Sequence, residues 1–303
     1  MIKYVNHNYI DRRKYDHCIL MDPSKLIYGL SWYLDSICSS WDALVLNDYD
    51  AVWPLPVNTK FGIKYFYRPF GAQQLGIFSK VKLSQNQNNE FLKTLIKNAS
   101  FAEVFGNEGQ SFQSPEVQIS SQVNYILKIN RSYQNIYESY SKGIKRKLKK
   151  AQKEKFKCFE NESPKALIDL FKQNKGKNLK LDPAFYRNIE KIMFAAIHKK
   201  TGEIWSIYGE GNTICAGIFV LHFRSRICLL FSASNQEAQN KGGLAFLINE
   251  YIIQQSAKKE IFDFEGGSDA GMAQFYSGFG AEERIYKKLK YNGLPFWLKW
   301  IKK

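Results

Sequence analysis

Between Lys142 and Lys157 the chain reads KGIKRKLKKAQKEKFK, nine cations against the single acid Glu154. Like charges three or four residues apart on one helix repel by ~0.2–0.5 kcal/mol per pair, so such a run is relieved by an anion nearby, and phosphate is the obvious class. Lys145, Arg146, Lys149 and Lys150 are its candidate binding residues. A second pair with chemical potential is Asp263 and Glu265 in IFDFEGG. Two residues apart on a strand they share a face, where carboxylates can take a proton from an attacking amine or bind a cation. Other chemistries lack their materials. The chain has no G-x-S-x-G elbow, no G-x-x-x-x-G-K-[ST] loop and no H-E-x-x-H. Its four histidines have no ligand spacing, so no metal site is expected. Five cysteines (Cys18, Cys38, Cys158, Cys215 and Cys228) contain no C-x-x-C pair and are an odd number, which argues against a disulfide framework.

The elements that must position these residues are those of a folded α/β chain. Its 303 residues suit two domains or one large one, and 45% hydrophobic against 24% charged residues excludes a wholly disordered chain. The net charge of +16 favours polyanionic partners. The longest apolar run, Ile214 to Phe223, is too short to span a bilayer, and the first residues lack the apolar core of a secretory signal. A cytoplasmic protein without integral membrane association is expected.

In the first half, periodicity predicts a helix over Lys25–Ser40, a hairpin turning at Asn47-Asp48-Tyr49-Asp50 with Pro54 and Pro56 on an edge or strand end, and a strand in Gly62–Phe70. A helix over Asn88–Ala99 and strands at Phe101–Phe105 and Val117–Ile129 follow. The second half predicts one helix through SYQNIYESYSKGIKRKLKKAQKE with Gly143 as its weak point, then helices begun by Pro164 and by Asp182-Pro183. Three antiparallel strands turn at Gly211-Asn212 and Arg224-Ser225, and KGGLAFLINEYIIQQSAKK reads as a helix before the strand EIFDFEGG.

This order, with SASNQEAQNKGGLAFLINEYI (Ser232–Ile252) and IFDFEGGSDAGMAQFYSGFGAEE (Ile261–Glu283), resembles the GNAT acyltransferase fold, and the whole chain is similar to its FemAB-like branch. The resemblance implies two tandem GNAT-like domains, residues 1–130 and 131–303, each a mixed, mostly antiparallel sheet flanked by helices. In such folds a glycine-bearing turn at a helix start cradles coenzyme A phosphates. Here Ser232, Gln239, Lys241, Gly242 and Gly243 fall on it, while Leu244 occupies a position the family keeps small. The resemblance also casts Tyr276 as proton donor to a leaving thiolate, makes the lysine- and arginine-rich helix open the second domain, and suggests Trp32, Tyr33, Gln73 and Gln74 for a sugar, peptide or small-molecule amine acceptor in a cleft at or near the domain interface.

The expected function is N-acyl transfer from acyl-coenzyme A, a co-substrate rather than a tightly bound cofactor, to an amine. The alternatives are an aminoacyl-tRNA-dependent transferase and a non-enzymatic polyanion-binding protein on a decayed GNAT scaffold.

Overall fold

The computed structural model describes residues 1–209, 212–266 and 269–295. Packing divides the chain into one unit made of Met1–Gln122 with Ile285–Lys303 and another made of Val123–Arg284. The sequence reading divides it at residue 130 and leaves the C-terminal stretch with the second domain.

The first unit opens with strand β1 (Ile2–Val5), helices α1 (Arg12–Met21) and α2 (Ser31–Ile37), strands β2 (Trp41–Leu46), β3 (Ala51–Lys60), β4 (Ile63–Phe66) and β5 (Phe78–Ser79), helix α3 (Gln85–Lys97) and strand β6 (Phe101–Phe105). Strand β7 (Val117–Lys128) runs from this unit into the second. Neighbouring strands are antiparallel except β4 and β6, which run parallel. Trp53, Leu55, Phe66, Phe91 and Leu95 form the core. The expected helix over Lys25–Ser40 is shorter: only Ser31–Ile37 is α-helical, behind a 3-10 turn at Ile27–Gly29. Helix α1 escaped sequence reading because its buried residues are only Tyr15, Cys18 and Ile19 in an otherwise polar stretch, although Asp11 caps it. The hairpin forms at the expected turn. Strand β3 is not an edge strand, yet its second side is paired by β5 only at Ala51 and Val52 and by β4 only from Val57 onward. Pro54 and Pro56 occupy the stretch between, where a missing N–H costs no ladder bond.

The second unit contains α4 (Tyr133–Glu138), α5 (Lys142–Ala151), β8 (Lys157–Glu160), α6 (Pro164–Gln173), α7 (Pro183–His198), β9 (Gly202–Tyr208), β10 (Ile214–Phe223), β11 (Arg226–Ser234), α8 (Gln236–Lys241), α9 (Gly243–Gln255), β12 (Ile261–Gly266) and α10 (Ala270–Ser277). Strand β13 (Glu282–Asn292) then leads back into the first unit, where its Lys288–Asn292 pair with β6. The order β8-β9-β10-β11-β12-β7 is antiparallel throughout except between β11 and β12. Each unit thus carries a mostly antiparallel sheet with one parallel pair, as the sequence implied. Among the described residues no helix is long and apolar enough to cross a membrane. The turn expected at Gly211-Asn212 lies partly outside the described residues, as does Gly267 after β12.

Helices α6 and α7 begin as predicted, with Pro164 and Pro183 in their first turns and Asp182 accepting from the Ala184 N–H. The single helix predicted through the basic run is two. The break falls at Ser139–Ser141 rather than at Gly143, because the Ser141 hydroxyl accepts from the Ile144 N–H and starts α5 anew. Gly143 itself is exposed inside α5. Ile144, Leu148 and Ala151 recur at four and three residues and face the core, burying two large side chains worth roughly 1.5–3 kcal/mol each.

Candidate functional site

Strands β11 and β12 pair in parallel over three positions only, Arg226 with Ile261, Ile227 with Phe262 and Cys228 with Asp263. Beyond that fork β11 continues to Ser234 along β10. Its end, Ser232 to Ser234, lines a cleft of about 410 Å³ whose other walls come from α5, α6, the α8–α9 corner and α10. Phe171, Leu244, Met272 and Phe275 make it apolar, and Lys147 and Lys175 supply its charge. Among the described residues lining it there is no carboxylate.

The α8–α9 corner behaves partly as the sequence suggested. Gly242 has φ +77°, and a Cβ there would lie 2.6 Å from the Lys147 carbonyl oxygen. At Gly243 the obstacle is Ile207 Cδ1 at 2.8 Å. Gly242 is therefore demanded by its left-handed backbone and by the approach of α5, whereas at Gly243 the end of the Ile207 side chain would have to give way. Helix α9 starts at this corner without a side-chain cap, and Gly242, Leu244 and Ala245 border the cleft. The uncapped first turn presents backbone N–H groups and the positive end of a 13-residue helix to it. Gln239 also lines the cleft, and its Nε2 donates to the Ser234 carbonyl at 3.4 Å. Lys241 does not line it: its Nζ lies 3.1 Å from Glu154 Oε2 and 3.2 Å from Glu237 Oε1, tying α8 to the end of the basic run.

The carboxylates of β12 are engaged. Asp263 is fully buried, its Oδ2 accepting from Arg226 Nε at 2.9 Å and Nη2 at 2.6 Å, its Oδ1 from the Glu265 N–H at 2.9 Å. That last bond holds Glu265 in the left-handed region at φ +58°, where β12 slips register against β7. A non-glycine residue there carries roughly 1–2 kcal/mol of strain. Cys228 Sγ donates to Glu265 Oε1 at 3.1 Å. Both carboxylates thus meet side chains two apart on β11, and Asp263 serves as a strut.

Tyr276 is buried, stacked on Phe264 with ring centroids 4.9 Å apart, and lies next in sequence to the cleft residue Phe275. Burial, with the charge of Glu265 at the fork, pushes its phenol up from the ordinary value, so it stays protonated.

The basic run separates into faces. Lys147 overhangs the Phe275 ring at 4.9 Å and lines the cleft. Lys145 turns the other way, donating to the Glu138 carbonyl at 3.1 Å over the Tyr137 ring. Arg146, Lys149 and Lys150 are exposed and do not line the cleft. Sequence reading missed Lys147 as the cleft cation, although it sits in the same run. Nothing in the sequence marked Lys175, Phe171 or Met272.

In the first unit the acceptor candidates hold a loop together. The Tyr33 hydroxyl donates to the Gly71 carbonyl at 2.5 Å, Gln74 Oε1 accepts from the Glu108 N–H at 2.7 Å, and Gln74 Nε2 donates to Gln73 Oε1 at 3.1 Å. Gln73 and Gln74 are buried, and the Trp32 ring sits edge-on to Tyr33. These residues serve the fold of that loop.

Residues 138–277, the stretch holding the fork, corner and cleft, match the acetyltransferase (GNAT) domain family. This stretch is an acyltransferase domain of the GNAT fold. No curated protein matches this acyltransferase in sequence. Its fold is similar over 94% of its length to the crystal structure of FemX, covering 96% of that chain at 12% identity and a TM-score of 0.63. A conserved protein of unknown function from Bacteroides thetaiotaomicron matches over 96% of this chain and 99% of its own, at 10% identity and a TM-score of 0.64. A tandem GNAT protein from the clavulanic acid biosynthesis pathway, solved without acetyl-coenzyme A, matches over 97% and 100%, at 8% identity and a TM-score of 0.57. The chain therefore has the double-GNAT, FemAB-like fold.

Proposed function

We propose that the chain transfers an acyl group from acyl-coenzyme A to an amine, with the donor's pantetheine arm in the cleft beyond the β11–β12 fork. The observation that carries this reading is the chemistry of the cleft lining: apolar walls, an uncapped helix start, two lysines and no described carboxylate. A neutral thioester on an apolar arm with a phosphate end suits such a lining. An aminoacyl group brings an ammonium, which two lysines repel and no cleft carboxylate balances, so aminoacyl-tRNA is the weaker donor.

In the transfer the acceptor nitrogen attacks the thioester carbonyl, the C–N bond forms as the C–S bond breaks, and the proton lost by nitrogen ends on the departing sulfur. Tyr276, next in sequence to the cleft residue Phe275 and stacked on Phe264 of β12, is the proposed relay: its phenol gives a proton to the sulfur and takes up the one that nitrogen loses. Lys147 and the first turn of α9 are proposed to hold phosphate. The five cysteines are free, which fits a cytoplasmic site of action.

Acetyl-coenzyme A should raise the melting temperature in a concentration-dependent way. Lys147→Ala should weaken that affinity about tenfold, the scale of one hydrogen bond to a charged group, while moving the unliganded melting temperature little. No shift with acetyl-coenzyme A, and a shift with charged tRNA instead, would reverse the choice of donor.

A further inference from the structure

The outer side of α5 carries a stripe of charge that the cleft does not use. Lys142, Arg146, Lys149 and Lys150 lie opposite the buried Ile144, Leu148 and Ala151, and Lys153 continues the line in the turn after the helix. All five are exposed. None of them takes part in an ion pair among the described residues, whereas Lys14, Lys64, Lys93, Lys128 and Lys288 each meet a carboxylate. The one acid of the run, Glu154, is turned to Lys241. The stripe repeats at four and three residues, one step per helical turn of about 5.4 Å, the spacing at which a facing helix presents carboxylates.

We propose that this stripe docks a small acidic carrier protein that delivers the acyl group on its own phosphopantetheine arm. The inference rests on the thioester reading of the cleft and names the form in which the donor arrives. Lys147 stands on the same helix, one step round from Lys150, and lines the cleft, so a partner seated on the stripe has its arm at the entrance. Lys241 is committed to two carboxylates, which leaves Lys147 and Lys175 as the cations of the cleft and the larger share of the free charge on the outer side of α5. Carrier-borne donor shifts recognition from nucleotide to protein surface, where the unpaired cations are. Every apolar residue of α5 that anchors it is buried, so the stripe offers nothing to insert into a lipid surface. A nucleic acid would match the charge, but its aminoacyl end does not match the cleft.

The transfer is unchanged in its bonds: the acceptor nitrogen takes the acyl carbon, and the carrier's phosphopantetheine thiol leaves with the proton.

The test measures binding of the full chain to an acidic acyl carrier protein charged with acetyl-phosphopantetheine, by fluorescence anisotropy, beside acetyl-coenzyme A under the same conditions. At about 50 mM salt the carrier should bind at least roughly tenfold more tightly than acetyl-coenzyme A, and at about 300 mM that preference should collapse. The triple variant Arg146→Glu, Lys149→Glu, Lys150→Glu should lose the preference at low salt. Circular dichroism checks its fold, and the milder triple glutamine variant should lose it in part. Acetyl-coenzyme A binding without any carrier preference, or an identical preference in the variants, overturns the docking proposal alone. A short RNA that displaces the carrier and itself depends on the stripe overturns it in favour of nucleic acid. Failure of both acetyl-coenzyme A and the carrier to bind overturns the thioester reading beneath it.

Discussion

The base of the β11–β12 fork and the outer side of α5 are both rich in charge, and they differ in whether the charges have partners. At the fork Arg226 and Asp263 neutralise one another in full burial, with the remaining Asp263 oxygen on the Glu265 backbone. On α5 and in the turn after it five cations are exposed and take part in no ion pair among the described residues. Burial makes the first arrangement obligatory, since an isolated buried charge costs several kcal/mol. Exposure makes the second tolerable and leaves it available. The difference separates residues that hold the fold from residues that can meet a ligand, a distinction that residue type alone does not make.

The most direct way to break this comparison is to remove one charge from each region. Asp263→Ala removes the carboxylate paired with buried Arg226 and should lower unfolding free energy by about 3–5 kcal/mol in urea titrations, while Arg146→Gln should change it by less than about 0.5 kcal/mol. Equal losses would erase the contrast.

A second buried carboxylate, in the first unit, extends the comparison to pH. Burial alone pushes the Asp42 carboxyl up, but hydrogen bonds from Lys64 and Tyr4 and from the His7 N–H outweigh it and hold the group below its ordinary value. A carboxyl lowered on folding adds stability above its unfolded value, and that contribution fades as pH falls through the folded value. Asp42→Asn should therefore cost about 1–3 kcal/mol at neutral pH, a deficit that shrinks in strong acid. A deficit constant across pH would mean that packing, not charge, is lost.

The smallest expected effect concerns a neutral group beside the fork. Tyr276→Phe removes one hydroxyl and should lower turnover at least about tenfold, roughly 1.4 kcal/mol, with acetyl-coenzyme A affinity unchanged. Full activity would leave Tyr276 as packing on Phe264 and reduce the fork to a structural joint.

What the sequence revealed was what neighbours in sequence decide. The hairpin at Asn47–Asp50, the proline starts of α6 and α7 and the antiparallel succession of β9 to β11 depend on local turn chemistry and short apolar runs, and they were legible. Helix α1 was not, because three buried residues among ten make a weak stripe. Nor was strand β8, whose four residues are all exposed. At the site, the glycine corner was found for a reason the structure supplements: Gly242 is also needed because the Lys147 carbonyl approaches from α5. The partnership of Asp263 with Arg226 crosses a parallel strand pair with α8 and α9 between, and no local pattern announces it. The cleft lysines illustrate the same limit, since which lysine of a run faces inward depends on where Ser141 begins the helix.

Strand β13 carries a consequence for how the chain is made. The first unit is assembled from stretches on either side of the second, and Lys288–Asn292 supply the antiparallel neighbour of β6. On a ribosome β6 emerges long before that neighbour exists, with only the short parallel pairing to β4 at Tyr65 and Phe66 to occupy it. The whole of the second unit is synthesised in the interval and can fold as a contiguous segment, whereas the first must keep a sheet edge unfilled until β13 has been made. Biogenesis thus runs opposite to chain order: the segment translated later is the first able to be finished, and the earlier one is closed by a strand made after it.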